Sequence, residues 1–310
     1  MDCQSPPDEQ LGPSLDNLLD CHLHDKKHRP TAIVPTFVHR LKIADAWAIP
    51  RSARRLLDIG CGQGESTLIL ANTNSEVHAT GVDSGPADYG SPYTLGQSQA
   101  FTLASPLGQR IAFERADPVS YLRDGKDITR AQFDAAFFCH SLWYWSSADE
   151  VRNVFSALAE TGVPQIYIAE WAGEASRPEQ EAHALAAKAQ KELYAERHSI
   201  GGSRLLQQNI RTGFLPDELF ALAAEAGGWK VARRGVVTAP SDLMDGVWET
   251  DYVKSENDWK RGIMELDGLS EEKKQKFLQY SDQVKEAVER CGGRKEVRCM
   301  DAVWAVLERD

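Results

Sequence analysis

The most specific chemical signal in the chain is Leu56-Leu57-Asp58-Ile59-Gly60-Cys61-Gly62-Gln63-Gly64. It reads as a short apolar strand carrying an acidic residue near its end, then a glycine-rich turn that opens a helix at Glu65. Glycine lets the backbone turn sharply and approach a ligand closely, and the first turn of a helix offers N–H groups without partners. A glycine pair alone says little, but between a strand and a helix it points to a nucleotide-binding turn. The spacing G-x-G-x-G differs from the G-x-G-x-x-G of dinucleotide folds, and the absence of G-x-x-x-x-G-K-[ST] excludes a P-loop. Asp83 ends the next apolar run about 20 residues further on, where a carboxylate accepts both hydroxyls of a ribose.

The pattern D-x-G-x-G-x-G, from Asp58 to Gly64, resembles the S-adenosylmethionine (SAM) loop of class I methyltransferases. The likeness runs over residues 36–171 and the last two strands. It implies SAM as cofactor and S-adenosylhomocysteine (SAH) as product. It also implies that Gly60, Cys61, Gly62 and Gly64 meet the amino-acid end of SAM, with Asp58 near its ammonium group. By the same resemblance Asp117, after the third strand, holds the adenine amino group, with Pro118 and Val119 flanking the ring. The loop His140-Ser141-Leu142-Trp143-Tyr144-Trp145, after the fourth strand, passes the sulfur and the substrate. A narrower resemblance rests on Ile43-Ala44-Asp45-Ala46-Trp47 and on residues 58–65 and 88–97. It is to microbial, largely fungal, small-molecule methyltransferases, several of them associated with secondary metabolism. The loop of residues 84–97 is longer than the family's usual one.

His140 has two readings. An unperturbed imidazole titrates near pH 6.5, which suits a general base that takes a proton from a hydroxyl or amine. Alternatively it is structural. Trp143, Tyr144 and Trp145 offer aromatic faces that attract a sulfonium cation, or they pack between strand and helix. His198, Arg204 and Trp248 lie in helical segments expected to contribute substrate contacts. His28, Arg29 and Phe37 are further candidates to reach the site from the N-terminal segment. His22, His24 and His28 form H-x-H-x-x-x-H, but no accompanying Cys or carboxylate cluster has a known metal spacing, so no metal is expected.

These residues need a frame. Short apolar runs at 55–59, 77–83, 111–117, 133–139 and 165–170 alternate with helical patterns. That alternation predicts an α/β fold: a doubly wound, mostly parallel sheet, completed by strands at 229–238 and 300–308 to seven. Residues 1–14 read as a disordered leader and 15–50 as an N-terminal helical lid broken at Pro30 and Pro35. Residues 51–175 read as the SAM-binding core and 176–228 as a helical insertion. Residues 229–310 complete the sheet around a second insertion at about 241–292. The insertions are expected to cap one end of the sheet, where substrate selection occurs in such folds.

Composition narrows the function classes. Of the 310 residues, 42% are hydrophobic and 26% charged, as in an ordinary globular protein. A net charge of −11 repels phosphate backbones and anionic lipid, so neither nucleic acid nor membrane is an expected partner. Six cysteines without a C-x-x-C pair fit a cytoplasmic protein with reduced thiols. Monomer and homodimer are both open. The expected function is methyl transfer from SAM to an oxygen, nitrogen or sulfur atom of a small organic molecule. The alternative is a SAM-binding protein of the same fold that does not methylate, either a regulatory or scaffold partner or a cyclase-type enzyme.

Overall fold

Both faces of the central strands are apolar, and alternate residues point to opposite sides. Leu56, Phe137 and Tyr167 face one layer, while Leu57, Phe138 and Ile168 face the other. Such strands are stable only between two layers of helix. The computed structural model describes residues 12–124, 133–199 and 209–309. Among them seven strands form one sheet: β1 (Arg55–Ile59), β2 (His78–Asp83), β3 (Ile111–Arg115), β4 (Ala135–Cys139), β5 (Gln165–Trp171), β6 (Lys230–Val237) and β7 (Ala302–Glu308). The order is β3-β2-β1-β4-β5-β7-β6. The strands from β1 to β5 pair in parallel, and β7 runs antiparallel to both its neighbours. The chain winds outward from β1 through β2 to β3, then returns to β4 on the other side of β1. That reversal opens a crevice at the carboxyl ends of β1 and β4.

Helices α1 (Gly12–Asp20), α2 (Val34–Trp47) and α3 (Glu65–Ala71) contribute to the core on one face. After α4 (Leu95–Leu103), the helices α5 (Pro118–Asp124), α6 (Ala148–Glu160) and, later in the chain, α8 (Pro216–Gly227) cover the other. The long helix α7 (Glu181–Ser199) packs with α9 (Asp245–Lys254), α10 (Arg261–Met264) and α11 (Glu271–Arg290) around buried Trp259 and Phe277. A separate apolar cluster joins α7 to the sheet through Trp143, Trp171 and Met300.

Several boundaries differ from expectation. Helix α1 opens at Gly12, inside the segment read as a disordered leader; residues 1–11 of that leader lie outside the described residues. Pro30 and Pro35 do not break helices but occupy first turns, of a π-helical turn (Arg29–Ile33) and of α2. The missing proline N–H costs nothing there. Helix α4 starts two residues before the expected Gln97, because Thr94 and Gln97 form a reciprocal capping box. Strand β4 starts at Ala135, since Asp134 instead accepts from the backbone N–H groups of Arg54 and Arg55.

Candidate functional site

A cavity of about 840 Å³ lies at the carboxyl ends of the strands. Read across β3, β2, β1 and β4, its wall presents Asp117, then Asp83, then Gly60 to Gly62, then Cys139 to Ser141. The glycine turn takes its shape from β2. Gly60 N–H donates to Val82 O at 2.8 Å, and Gly62 N–H donates to Asp83 Oδ2 at 2.8 Å. Asp83 Oδ1 accepts from Gly85 N–H at 2.7 Å. Each carboxylate oxygen has two lone pairs, so Asp83 keeps accepting capacity toward the cavity. Asp117 lines the cavity with Pro118 and Val119, and its Oδ1 also caps α5 by accepting from Ser120 N–H at 2.8 Å.

The glycines differ in what requires them. Gly62 (φ +54°) lines the cavity, and a Cβ built there meets nothing within 4 Å. Gly64 (φ +101°) is buried and off the wall, and a Cβ there would stand 2.7 Å from the Phe113 ring. Gly64 therefore lets α3 pack against β3. Cys61 and Cys139 line the wall as thiols whose pKa burial raises, that of Cys139 to about 11. Such groups stay protonated and weakly nucleophilic.

Asp58 is not among the lining residues. It is buried on the α3 side of β1 and accepts from the Thr67 hydroxyl at 2.6 Å. Burial pushes its carboxyl up to about 7, against the Thr67 hydrogen bond and the nearby Arg40 charge. The acidic group at this end of the wall is Glu65, with His22 Nε2 3.6 Å away. Burial opposes the Glu65 charge, but His22, Arg40 and a backbone N–H outweigh it and hold the carboxyl at about 2. Arg40, on α2, lines the cavity too.

His140 lines the cavity at the end of β4, in a left-handed backbone conformation (φ +52°). Its ring sits 4.1 Å from that of Trp171. Its Nδ1 is 3.3 Å from Glu170 Oε1, and its Nε2 is 2.9 Å from Nε2 of His39. Glu170, on β5, also accepts from the backbone N–H groups of Leu142, Trp143 and Trp171 at 3.0–3.4 Å. A carboxylate accepts only, so the His140 hydrogen is on Nδ1. The His140 Nε2 is then the acceptor and His39 the donor of the contact between them, which leaves His39 Nδ1 buried without a partner. Burial, then the nearby His140, pushes the His39 pKa well below the usual range, so it is neutral.

Tyr144 and Trp145 line the cavity, with Ser146, Glu150, Asn153, Asn209, Arg211 and Asp245. Trp143 does not. The one-turn helix after β4 drives this large apolar ring inward, where its Nε1–H donates to Phe214 O at 2.8 Å. Trp248 is 50% exposed on α9 and His198 is exposed in the last turn of α7, stacked near Tyr194; neither lines the cavity. Arg204 lies outside the described residues. His28 and Arg29 pair with Asp25, Asp16 and Asp20 away from the cavity, and Phe37 is core. Among the described residues no group of three or more His, Cys, Asp or Glu side chains could hold a metal ion, and no helix is long and apolar enough to cross a membrane.

The sequence reading missed Glu170, His39, Arg40 and Glu65. A signal existed for His39: it shares the i, i+4, i+8 stripe of α2 with Ile43 and Trp47, all three buried. Glu170 reaches His140 only through the register that pairs Cys139 with Ala169.

No family model matches the chain. Methyltransferase phomM' of Diaporthe leptostromiformis is 33% identical to it over 347 residues, spanning 95% of this chain and 89% of that protein. Methyltransferase phomM of the same organism is 32% identical over 348 residues, with the same coverage. Among solved structures, a cyclopropane-fatty-acyl-phospholipid synthase-like protein from Lactobacillus casei superposes with a TM-score of 0.74 at 26% identity, over 96% of this chain and 99% of that one. Identity of 33% over nearly the whole of both chains shows the family: the chain belongs to the class I SAM-dependent methyltransferases.

Proposed function

We propose that the chain transfers a methyl group to an oxygen, nitrogen or sulfur atom of a small organic molecule, of the kind made in secondary metabolism. The observation that carries this reading is the shared cavity wall. Strand-end residues form one side, and Asn209, Arg211 and Asp245 from the later segments form the other. A volume of about 840 Å³ is in the range of small-molecule sites. The name of the Lactobacillus relative suggests an alkene carbon of a lipid as acceptor. The polar side chains around the cavity favour a polar acceptor instead.

The cavity residues fit SAM. Asp83 retains lone pairs for ribose hydroxyls, Asp117 with Pro118 and Val119 forms a slot for adenine, and the open Gly62 permits close approach. When bound, SAM supplies a methyl group on a cationic sulfur, an electrophile that needs alignment more than activation. Tyr144 and Trp145 offer aromatic faces to that charge. His140 receives the proton of a hydroxyl acceptor at Nε2, while Glu170 fixes its other nitrogen as the donor. His39 occupies that Nε2 in the structure and must yield it to the acceptor.

The test is incubation with methyl-labelled SAM and fractionated small-molecule extracts, read by mass spectrometry. The expected result is a labelled product heavier than a component of the extract by one methyl group. Tight SAH binding with no labelled product from any fraction would favour a non-methylating SAM-binding protein.

A further inference from the structure

We propose that Arg40 binds the carboxylate of the cofactor's amino-acid end while Glu65 binds its ammonium group. The proposal rests on the SAM reading of the cavity. Arg40 reaches the wall from α2, and its Nε is shielded from solvent and has no hydrogen-bond partner. Among the described residues no carboxylate stands within ion-pair distance of its guanidinium, in contrast to Arg29, Arg123 and Arg294, which all have one. Arg40 as a whole is only half-buried, but its shielded Nε–H is left unpaired, and an anionic ligand in the cavity would satisfy it. Burial works against its charge, but the carboxylates of Glu65 and Asp245 favour it, so Arg40 stays charged.

The position is the right one. The wall runs from Asp117 through Asp83 and the glycine turn to Cys139, so an adenosine held at Asp117 and Asp83 extends its other end toward β4, α3 and α2. Glu65 and Arg40 stand on α3 and α2 there, opposite charges in one wall without a direct pair between them. Asp58 cannot take the ammonium, because it is buried behind the turn and engaged by Thr67. His22, from the segment after α1, steadies Glu65. The helices before the sheet are therefore part of the cofactor site.

The experiment is calorimetric titration of the full chain with three probes. They are SAH, its decarboxylated analogue, and methylthioadenosine, which keeps adenosine and the thioether but lacks the amino-acid end. Arg40→Gln is expected to weaken SAH on the order of 10- to 100-fold, the scale of a charged hydrogen-bond pair. It should leave the other two probes within about 2-fold. Glu65→Gln should weaken SAH and the decarboxylated analogue and spare methylthioadenosine. Arg40→Lys should recover part of the loss. Unchanged SAH affinity in Arg40→Gln overturns the proposal and assigns Arg40 to the acceptor. Equal loss of SAH and methylthioadenosine also overturns it, as a general collapse of the cavity. If the wild-type chain binds none of the three probes, the SAM reading itself fails.

Discussion

The two ends of the cavity are built differently. At the Asp83 end the polar groups are already matched: Gly62 and Gly85 N–H donate to Asp83, Gln99 to Gly62 O, and Ser120 N–H to Asp117. At the His140 end polar groups are left over. His39 Nδ1 and Arg40 Nε have no partner, and one imidazole nitrogen of His140 is held by another imidazole. The first arrangement holds a fixed ligand with little reorganisation. The second has capacity to accept or exchange a proton and to meet charge brought by a ligand. On the function proposed above, the Asp83 end holds the adenosine, while side chains from α2, β4 and β5 meet the amino-acid end and the acceptor.

That division yields ordered predictions. The largest effect is at the His140 end. His140→Asn should lower turnover about 10²- to 10⁴-fold, the usual range for a general base, and leave SAH affinity within about 3-fold. Unaltered turnover would make His140 structural. At the other end Asp83→Ala should weaken SAH about 100-fold by calorimetry, since ribose and the turn lose the same acceptor. Unchanged affinity would remove Asp83 from the ribose site. Gly64→Ala should cost about 1–3 kcal/mol in urea unfolding, from its positive φ and the Phe113 ring.

The smallest effect is at Asp58. Asp58→Asn should leave SAH affinity within about 3-fold, because the side chain faces Thr67. Its effect is on stability against pH. The folded pKa of about 7 is above the ordinary 3.8, so this group's contribution is complete below pH 3.8 and is lost as pH rises through 7. Thermal melts should show Asp58→Asn gaining on the wild type between pH 3.8 and about pH 7. A constant difference across that range would contradict the buried placement.

The sheet and the backbone-built end were legible because their determinants are local. Apolar runs, a glycine turn and carboxylates at strand ends fall in order along residues 55–119. The placement of Asp58 off the cavity wall was legible too: strand alternation puts it on the same side as Leu56, facing α3, while the neighbouring Leu57 and Ile59 face the other layer. The side-chain end was not legible, because His39, His140 and Glu170 are 101 and 30 residues apart in the chain and meet only through packing and strand register. Aromatic type was a poor guide to substrate contacts. Trp143 went to the core and Trp248 to the surface, while Tyr144 and Trp145 reached the cavity.

The most direct test of the central claim is a crystal structure of the SAH complex. The account predicts both ribose hydroxyls on Asp83, adenine between Asp117 and Val119, and the thioether sulfur facing the cavity beside His140. A ribose seated away from Asp83, or a sulfur directed away from His140, would contradict the division of the cavity into a binding end and a chemical end.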